Sequence, residues 1–498
     1  MIKKVYPKIF NYFFIINVFL WDIYSGIYQQ KMLFLLLPLI YFLYNINYQN
    51  TENKSSFEYY LNLYEYKKYF KVTLILIISF LILILHKLFF LISFNLSHEI
   101  KSIVKIFFII LTIFCVYFNF EILKKNFENI VIHSMFLISI LFLIEILINL
   151  GSGIFTLSYA LHNNCYDDFF SKNSFVFMEG SHFGMVTPAL IISYMIIVFE
   201  NKKSLIYYIP VVFLLFSTFA IAFTLTFGIS FAFGLGMCFL FYRNYKFKII
   251  SLILILLTII HLFNMMPRCK IKLIVISTDL YHKIDNMLLK YSNKSNPIIN
   301  KANDFKENVS KFLVDEYTKT KNFEKNQFKK GETKNQFKKG ENKIQISKID
   351  EIESSLSQAV YLNSFKILEK GIKSNIFGYG LGGYKSVFNK YIEETSQNIT
   401  RDEDVNEIVK ILNINDASNN FVKLSVELGI FSVLIFLLII CFIFTKKIDF
   451  KVKIFVLTII FTQLFLRGAG YFNGGFMICL SIIFVTFFLK NKNEKKYI

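Results

Sequence analysis

Twelve apolar runs dominate the sequence, lying near residues 9–26, 32–47, 72–94, 103–120, 129–150, 183–199, 204–220, 221–241, 249–264, 420–445, 452–467 and 471–489. Most approach the ~20 residues that a helix needs to cross about 30 Å of hydrocarbon. Runs of this kind predict helices, because lipid offers no partner to an open strand edge. Charged residues make up 18% of the chain and hydrophobic ones 55%. Soluble domains hold about 25% charged residues, so a single soluble globule is excluded. The expected fold is all-α, a polytopic membrane bundle of about 12 transmembrane helices.

The net charge of +20 would suit nucleic acid if it were clustered, but many of the lysines sit in short groups between apolar runs. That distribution is a topology signal. With the N-terminus inside, the inner connections and tails carry 22 Lys and Arg and the short outer ones carry four, so both termini are expected to be cytoplasmic. Lys124 and Lys125 fall in one inner connection, between the fourth and fifth runs. The six cysteines show no metal-binding spacing. Cys165 and Cys269 are both expected outside, where a disulfide is permitted.

This orientation places residues 151–182 and a long segment, 265–418, on the outer side. The octapeptide KNQFKKGE occurs at 325–332 and again at 334–341. The surrounding tract, 319–345, is too polar to bury a core and is expected to be a disordered insertion. Elsewhere in the loop apolar residues recur at helical spacing, as in Tyr361, Phe365, Leu368 and Ile372, or Tyr384, Val387, Phe388 and Tyr391. These predict short amphipathic helices that pack on the bundle or rest in the outer membrane interface. Three parts follow: helices 1–9 over 1–264, the loop over 265–418, and helices 10–12 over 419–498.

Polar residues that interrupt this pattern are the candidates for chemistry. In DASNNFVKLSVELGIF, from Asp416 to Phe431, Asp416 or Ser418 can cap a helix whose first-turn amides would favour an anionic group. Asn420, Lys423 and Glu427 then share one face, where ionisable residues face a cavity or a partner, or form an internal Lys423–Glu427 pair. Upstream, IFGYGLGGY holds Gly378 and Gly380 in a turn that either brings amides to a phosphate or simply stops a helix. Glu179 and His182, in FVFMEGSHFGMVTP, place a carboxylate beside an imidazole at a low-dielectric boundary, a couple able to accept a proton. Only four of the 55 basic residues are Arg, and three of them, Arg268, Arg401 and Arg467, fall on the outer side. The planar guanidinium fits phosphate and carboxylate oxygens bidentately. His86 and Lys87 are expected to kink or snorkel near the outer end of the third run.

The whole arrangement resembles the O-antigen and capsule polymerase family (Wzy type) and, more distantly, the O-antigen ligases. The resemblance rests on twelve spans with a large outer loop before the tenth, on EGSHFG at 179–184, on FGYGLGGY at 377–384 and on SNNFVKLSVELG at 418–429. Ser418-Asn419 keeps the ligase spacing to Gly429 but lacks the ligase histidine, which favours a polymerase. The resemblance implies a multi-pass protein of the bacterial inner membrane with a periplasmic loop. It also implies a metal-independent glycosyltransferase that moves a polyprenyl-diphosphate-linked glycan onto the sugar hydroxyl of another lipid-linked repeat unit, in O-antigen, lipopolysaccharide or capsule synthesis. Diphosphate is a good leaving group, so no cofactor is called for; a chain-length regulator is a possible partner, and nucleic acid is not. Under this reading Arg467 and Arg401 serve the diphosphate or its departure, Glu179 and His182 the acceptor hydroxyl, and Arg268, Ser418, Asn419, Asn420, Lys423, Glu427, Gly378 and Gly380 surround the substrate. The alternatives are a ligase, or a lipid-linked sugar flippase or ion-coupled transporter.

Overall fold

The structure, a computed structural model, describes residues 11–12, 14–19, 74–90, 96–151, 180–201, 204–265, 356–396, 406–407, 409–414, 417–468 and 470–488. Among the described residues there are helices and turns and no strand. The helices are α1 (Leu74–Phe89), α2 (Leu96–Gly151), α3 (Gly180–Glu200), α4 (Ile209–Ser217), α5 (Leu225–Phe241), α6 (Tyr245–Met265), α7 (Leu356–Ser374), α8 (Tyr384–Thr395), α9 (Asn420–Leu428), α10 (Ser432–Phe444), α11 (Phe450–Phe461) and α12 (Phe476–Phe488). The chain divides into two compact units, one joining Met1–Ile259 to Glu353–Ile498 and the other covering Ile260–Ile352. Residues 260–265, the end of α6, are the described part of the second. The later part of the predicted outer loop, from Glu353, therefore belongs to the same unit as the apolar helices.

Five described stretches are long and apolar enough to cross a membrane: Glu99–Tyr117, Asn119–Ile144, His182–Glu200, Tyr245–Leu262 and Asn420–Phe444. The first two lie on a single helix. α2 runs for 56 residues, about 84 Å of axial path at 1.5 Å per residue, and Lys124 and Lys125 sit within it. The loop predicted there is helix instead. Lysine is a good helix former whose long stem carries its charge to solvent: Lys125 is exposed, and Lys124 lies half-buried over the Phe120 ring at 6.0 Å.

The bundle is centred on α3, which packs against α2, α5 and α11, while α12 packs on α2 and α11. Aromatic contacts fill it. Phe183 stacks on Phe142 at 5.7 Å and on Phe227 at 5.9 Å, and Phe127 meets Phe455 edge-on at 5.4 Å. Gly234 lets α5 approach α3 and α11, since a Cβ there would strike Ile192 and Thr458. At the periphery the pattern inverts. Leu81, Leu85 and Phe89 of α1, Leu252, Ile253 and Leu256 of α6, and Leu434, Leu437 and Ile440 of α10 are all exposed. Apolar faces of this extent call for a non-aqueous surrounding or a partner.

α7, α8 and α9 form a smaller apolar core of their own, with Ile367, Tyr384, Val387, Phe388, Val422 and Val426 buried together. The predicted stripe at Tyr384, Val387 and Phe388 is the face α8 turns to that core. α9 in turn abuts the π-helical turn Thr462–Leu466 that ends α11, and this junction positions the site.

Candidate functional site at a broken helix

The run 420–445, expected as one span, is broken. α9 begins at Asn419, whose backbone is extended and whose Oδ1 accepts the Val422 amide at 2.9 Å, satisfying one of the orphan donors of the first turn. It ends at Leu428 because Gly429 adopts φ 55°, ψ −132°, open to glycine and costly for other residues. A Cβ on Gly429 would collide with the Ile376 carbonyl and the Gly378 amide.

The FGYGLGGY turn is what closes this break. Tyr379 N–H donates to Val426 O at 3.2 Å, Gly380 N–H to Glu427 O at 2.8 Å, and Ile430 N–H to Ile376 O at 2.8 Å. The last carbonyls of α9 are thus satisfied by a neighbouring segment rather than by water. Gly378 and Gly380 have φ of 82° and 75°, and the Gly378 amide donates to Asn375 O at 3.2 Å. Both glycine amides are engaged with protein carbonyls. The Gly380 amide caps α9, and the Gly378 amide closes the turn that ends α7, the helix stop expected as the alternative to a phosphate cradle.

The other end of α9 is held by α7 and by the turn Arg467–Gly475. Asn419 Nδ2 donates to the Tyr361 hydroxyl at 2.6 Å, and that hydroxyl donates to Phe465 O. Burial raises the Tyr361 phenol above its usual range, opposed in part by the bond from Asn419, so it stays protonated and able to donate. Ser418 Oγ lies 2.7 Å from Ser364 Oγ and bonds Val360 O at 3.1 Å. Its carbonyl accepts Gly468 N–H at 3.2 Å. A Cβ on Gly468 would stand 2.6 Å from the Asn420 nitrogen, so the turn lies directly on the start of α9. The predicted opening toward an anion is covered at that point.

The charged face of α9 is buried. Glu427 accepts from the Tyr471 hydroxyl at 2.6 Å and from Tyr384 N–H at 3.4 Å, and Lys423 Nζ lies 4.9 Å over the Tyr471 ring. In place of a simple internal pair, both charges engage Tyr471. Two carboxamides complete the cluster: Asn420 Nδ2 donates to Gly470 O at 3.5 Å and Gln463 Nε2 to Gly474 O at 2.7 Å. Their oxygens, Asn420 Oδ1 and Gln463 Oε1, are buried and receive no donor. Buried acceptors in that state suit a hydroxyl or water donor. Arg467, half-buried, stands where the π turn ends, its own N–H bonded to Thr462 O at 2.9 Å.

Behind the glycine turn lies a second buried pair. Lys87 Nζ is 3.6 Å from Glu99 Oε2 with side chains only 4% and 6% exposed, and a Cβ on Gly380 would strike Lys87. The snorkelling expected of Lys87 does not occur, because Glu99 on α2 supplies a counter-charge inside. His86 contacts Phe377 O at 2.8 Å.

The structure therefore brings Ser418, Asn419, Asn420, Lys423, Glu427, Gly378, Gly380 and Arg467 into one neighbourhood. His182 is placed in another, on the first turn of α3 beside the Phe142–Phe183–Phe227 stack. Glu179, Arg268, Arg401, Asp416, Cys165, Cys269 and the duplicated octapeptide lie outside the described residues. Tyr361, Ser364, Gln463 and Tyr471 are further members of the cluster. The polar Ser364, three residues after Tyr361 on a helix, was the available signal for α7; nothing in the sequence singles out Gln463. Comparison with family models, with curated proteins and with solved structures finds no match to this chain.

Proposed function

We propose that this chain is a membrane polysaccharide polymerase, a metal-independent glycosyltransferase that moves a polyprenyl-diphosphate-linked glycan onto a second lipid-linked repeat unit at the periplasmic face of the inner membrane. One observation carries the reading. Segment 418–429 is tied by backbone hydrogen bonds to 377–384 on one side and to Gly468 on the other, and 377–384 and 418–429 carry the resemblance to the polymerase family. In this proposal the Arg467 guanidinium takes the diphosphate, where its fork matches the oxygens as charge develops on the leaving group. Asn420 Oδ1 and Gln463 Oε1 accept sugar hydroxyls. Asn419 and Ser418 act as positioning residues, since their side chains hold α9 to Tyr361 and Ser364. Arg401 remains a proposed phosphate ligand, Arg268 a proposed substrate contact, and Glu179 with His182 the proposed acceptor of the hydroxyl proton.

Replacing Arg467 by Lys keeps the charge and loses the fork. The expected result is loss of long-chain glycan with unchanged abundance of the protein in the membrane; normal chain length would remove Arg467 from the reaction. The break at Gly429 favours a second reading, a carrier for the same lipid-linked sugars, since broken helices line the sites of transporters. The two separate by where single repeat units accumulate when the chain is deleted: the outer leaflet for a lost polymerase, the cytoplasmic leaflet for a lost flippase.

A further inference from the structure

α7 carries three stripes rather than two. Its inner stripe, including Val360, Ser364 and Ile367, is buried against α8, α9 and residue 418. On one flank Leu362, Phe365 and Ile372 are exposed by 46%, 38% and 38%, continued past the helix by Ile376 and Phe377 at 52% and 48%. On the other flank stand Lys366, Lys370 and Lys373. A shallow groove of about 730 Å³ is lined by Leu362, Phe365, Lys366, Leu368, Glu369, Ile372 and Lys373.

A helix that only capped a soluble surface would need two stripes. The third stripe is also continuous with apolar surface elsewhere. Phe365 meets Phe421 at 6.4 Å, and Phe421 stacks on Phe436 of α10 at 5.2 Å. At the other end Phe377 stacks on Phe90, just beyond α1, at 6.0 Å and lies 6.3 Å from Phe431, just before α10. α10 and α1 both present exposed apolar faces, with Leu434 59% and Phe89 81% exposed. The exposed flank of α7 thus extends the apolar surface of these two helices, and it ends where lysines begin.

We infer that α7 lies in the bilayer interface, its Leu362–Phe365–Ile372–Ile376 flank against acyl chains and its lysine flank at the depth of the lipid phosphates. Apolar area on one side and basic residues on the other are the two terms that hold interfacial helices to anionic bilayers, and lysine stems reach the headgroups while their charge stays wet. Glu369 between the flanks pairs with Lys373 at 2.6 Å, which holds its carboxyl below the usual range; Lys370 pairs with Glu394 of α8 at 2.5 Å, and Lys366 donates to the Thr395 carbonyl at 3.5 Å. The inner stripe of this same helix touches Asn419 through Tyr361, so one element links the lipid surface to the buried cluster. The inference rests on the membrane reading of the bundle and not on the polymerase reading.

The chain holds one tryptophan, Trp21, so fluorescence can read the depth of a single residue. Trp21→Phe is combined with Phe365→Trp, Ile372→Trp or Leu437→Trp, the last on the apolar face of α10. Each full-length variant is reconstituted in phosphatidylcholine/phosphatidylglycerol vesicles with lipids brominated near the headgroup or at mid-chain. For Trp at 365 and at 372 we expect loss of most emission with headgroup-proximal bromine, a smaller loss at mid-chain, and little quenching by aqueous iodide. Trp at 437 is quenched best by mid-chain bromine. Iodide quenching of both α7 positions would show the flank in water, and protection from every quencher would show a protein segment covering it; either overturns the inference. If position 437 also escapes the brominated lipids, the membrane reading itself has failed, which separates the two outcomes.

Discussion

α9 and α10 come from one predicted span, 420–445, yet they solve opposite problems. α9 buries eight of its nine residues, Lys423 and Glu427 among them, whereas α10 buries only Ser432 and Phe442 of its thirteen. Hydropathy averaged over the run cannot separate them. What separates them is partners: Asn419, Lys423 and Glu427 are met by α7, the glycine turn and the turn after α11, with Asn420 Oδ1 left as a buried open acceptor, and α10 has no polar side chain that needs a partner beyond Ser432. A helix that carries buried charge must be enclosed by protein, and a helix without charge can face lipid.

The contrast can be broken most severely at the joint. Gly429→Ala should cost about 5 kcal/mol or more, from left-handed strain combined with overpacking against two backbone segments. Leu434→Ala, five residues on, should stay within about 0.5 kcal/mol, as exposed substitutions do. Thermal unfolding in detergent compares them, and equal stability of the two variants would dissolve the distinction. Next in size is Glu99→Ala, which leaves Lys87 buried without its counter-charge; breaking a buried pair costs about 3–5 kcal/mol. Glu427→Ala, which removes the acceptor of the Tyr471 hydroxyl and of the Tyr384 amide, should cost about 1–3 kcal/mol.

How far the sequence reveals this depends on the kind of signal. The positions of α1, α3, α5, α6, α11 and α12 are visible as apolar runs, and of these α3 and α6 reach the length that crosses a hydrocarbon layer. The break at Gly429 is not, because a lone glycine in an apolar run is common and its conformation is imposed by the distant segment 376–380. Lys124 and Lys125 look like a connection by charge alone, but lysine is also a good helix former, and α2 passes through them. At the site, Asn419, Glu427 and Arg467 stand out as polar residues in apolar surroundings. Tyr361 hides in an amphipathic stripe and Gln463 at the end of an apolar run, since their roles follow from tertiary contacts.

Smaller effects sharpen the picture on the α9 side. Asn419→Ala should cost about 1 kcal/mol through loss of the cap, plus the bond to Tyr361; Asn419→Ser should recover the cap alone, and denaturant midpoints would rank the three chains. The smallest effect is the pH response of Tyr361. Its folded-state pKa is raised by burial, so the folded state holds the proton more tightly and the stability it contributes is fully present below the unfolded value of about 10. That stability falls as pH climbs through the raised pKa. Tyr361→Phe should flatten this part of the alkaline stability profile, and an unchanged slope would place the titrating group elsewhere.

The polymerase account is tested most directly by the lipid-linked glycans of cells from which the chain has been deleted, separated by length. The account predicts single repeat units on the polyprenyl carrier and no long-chain glycan, with the ladder restored by the wild-type chain and by Leu434→Ala but not by Arg467→Lys. A full-length ladder in the deleted cells would contradict it.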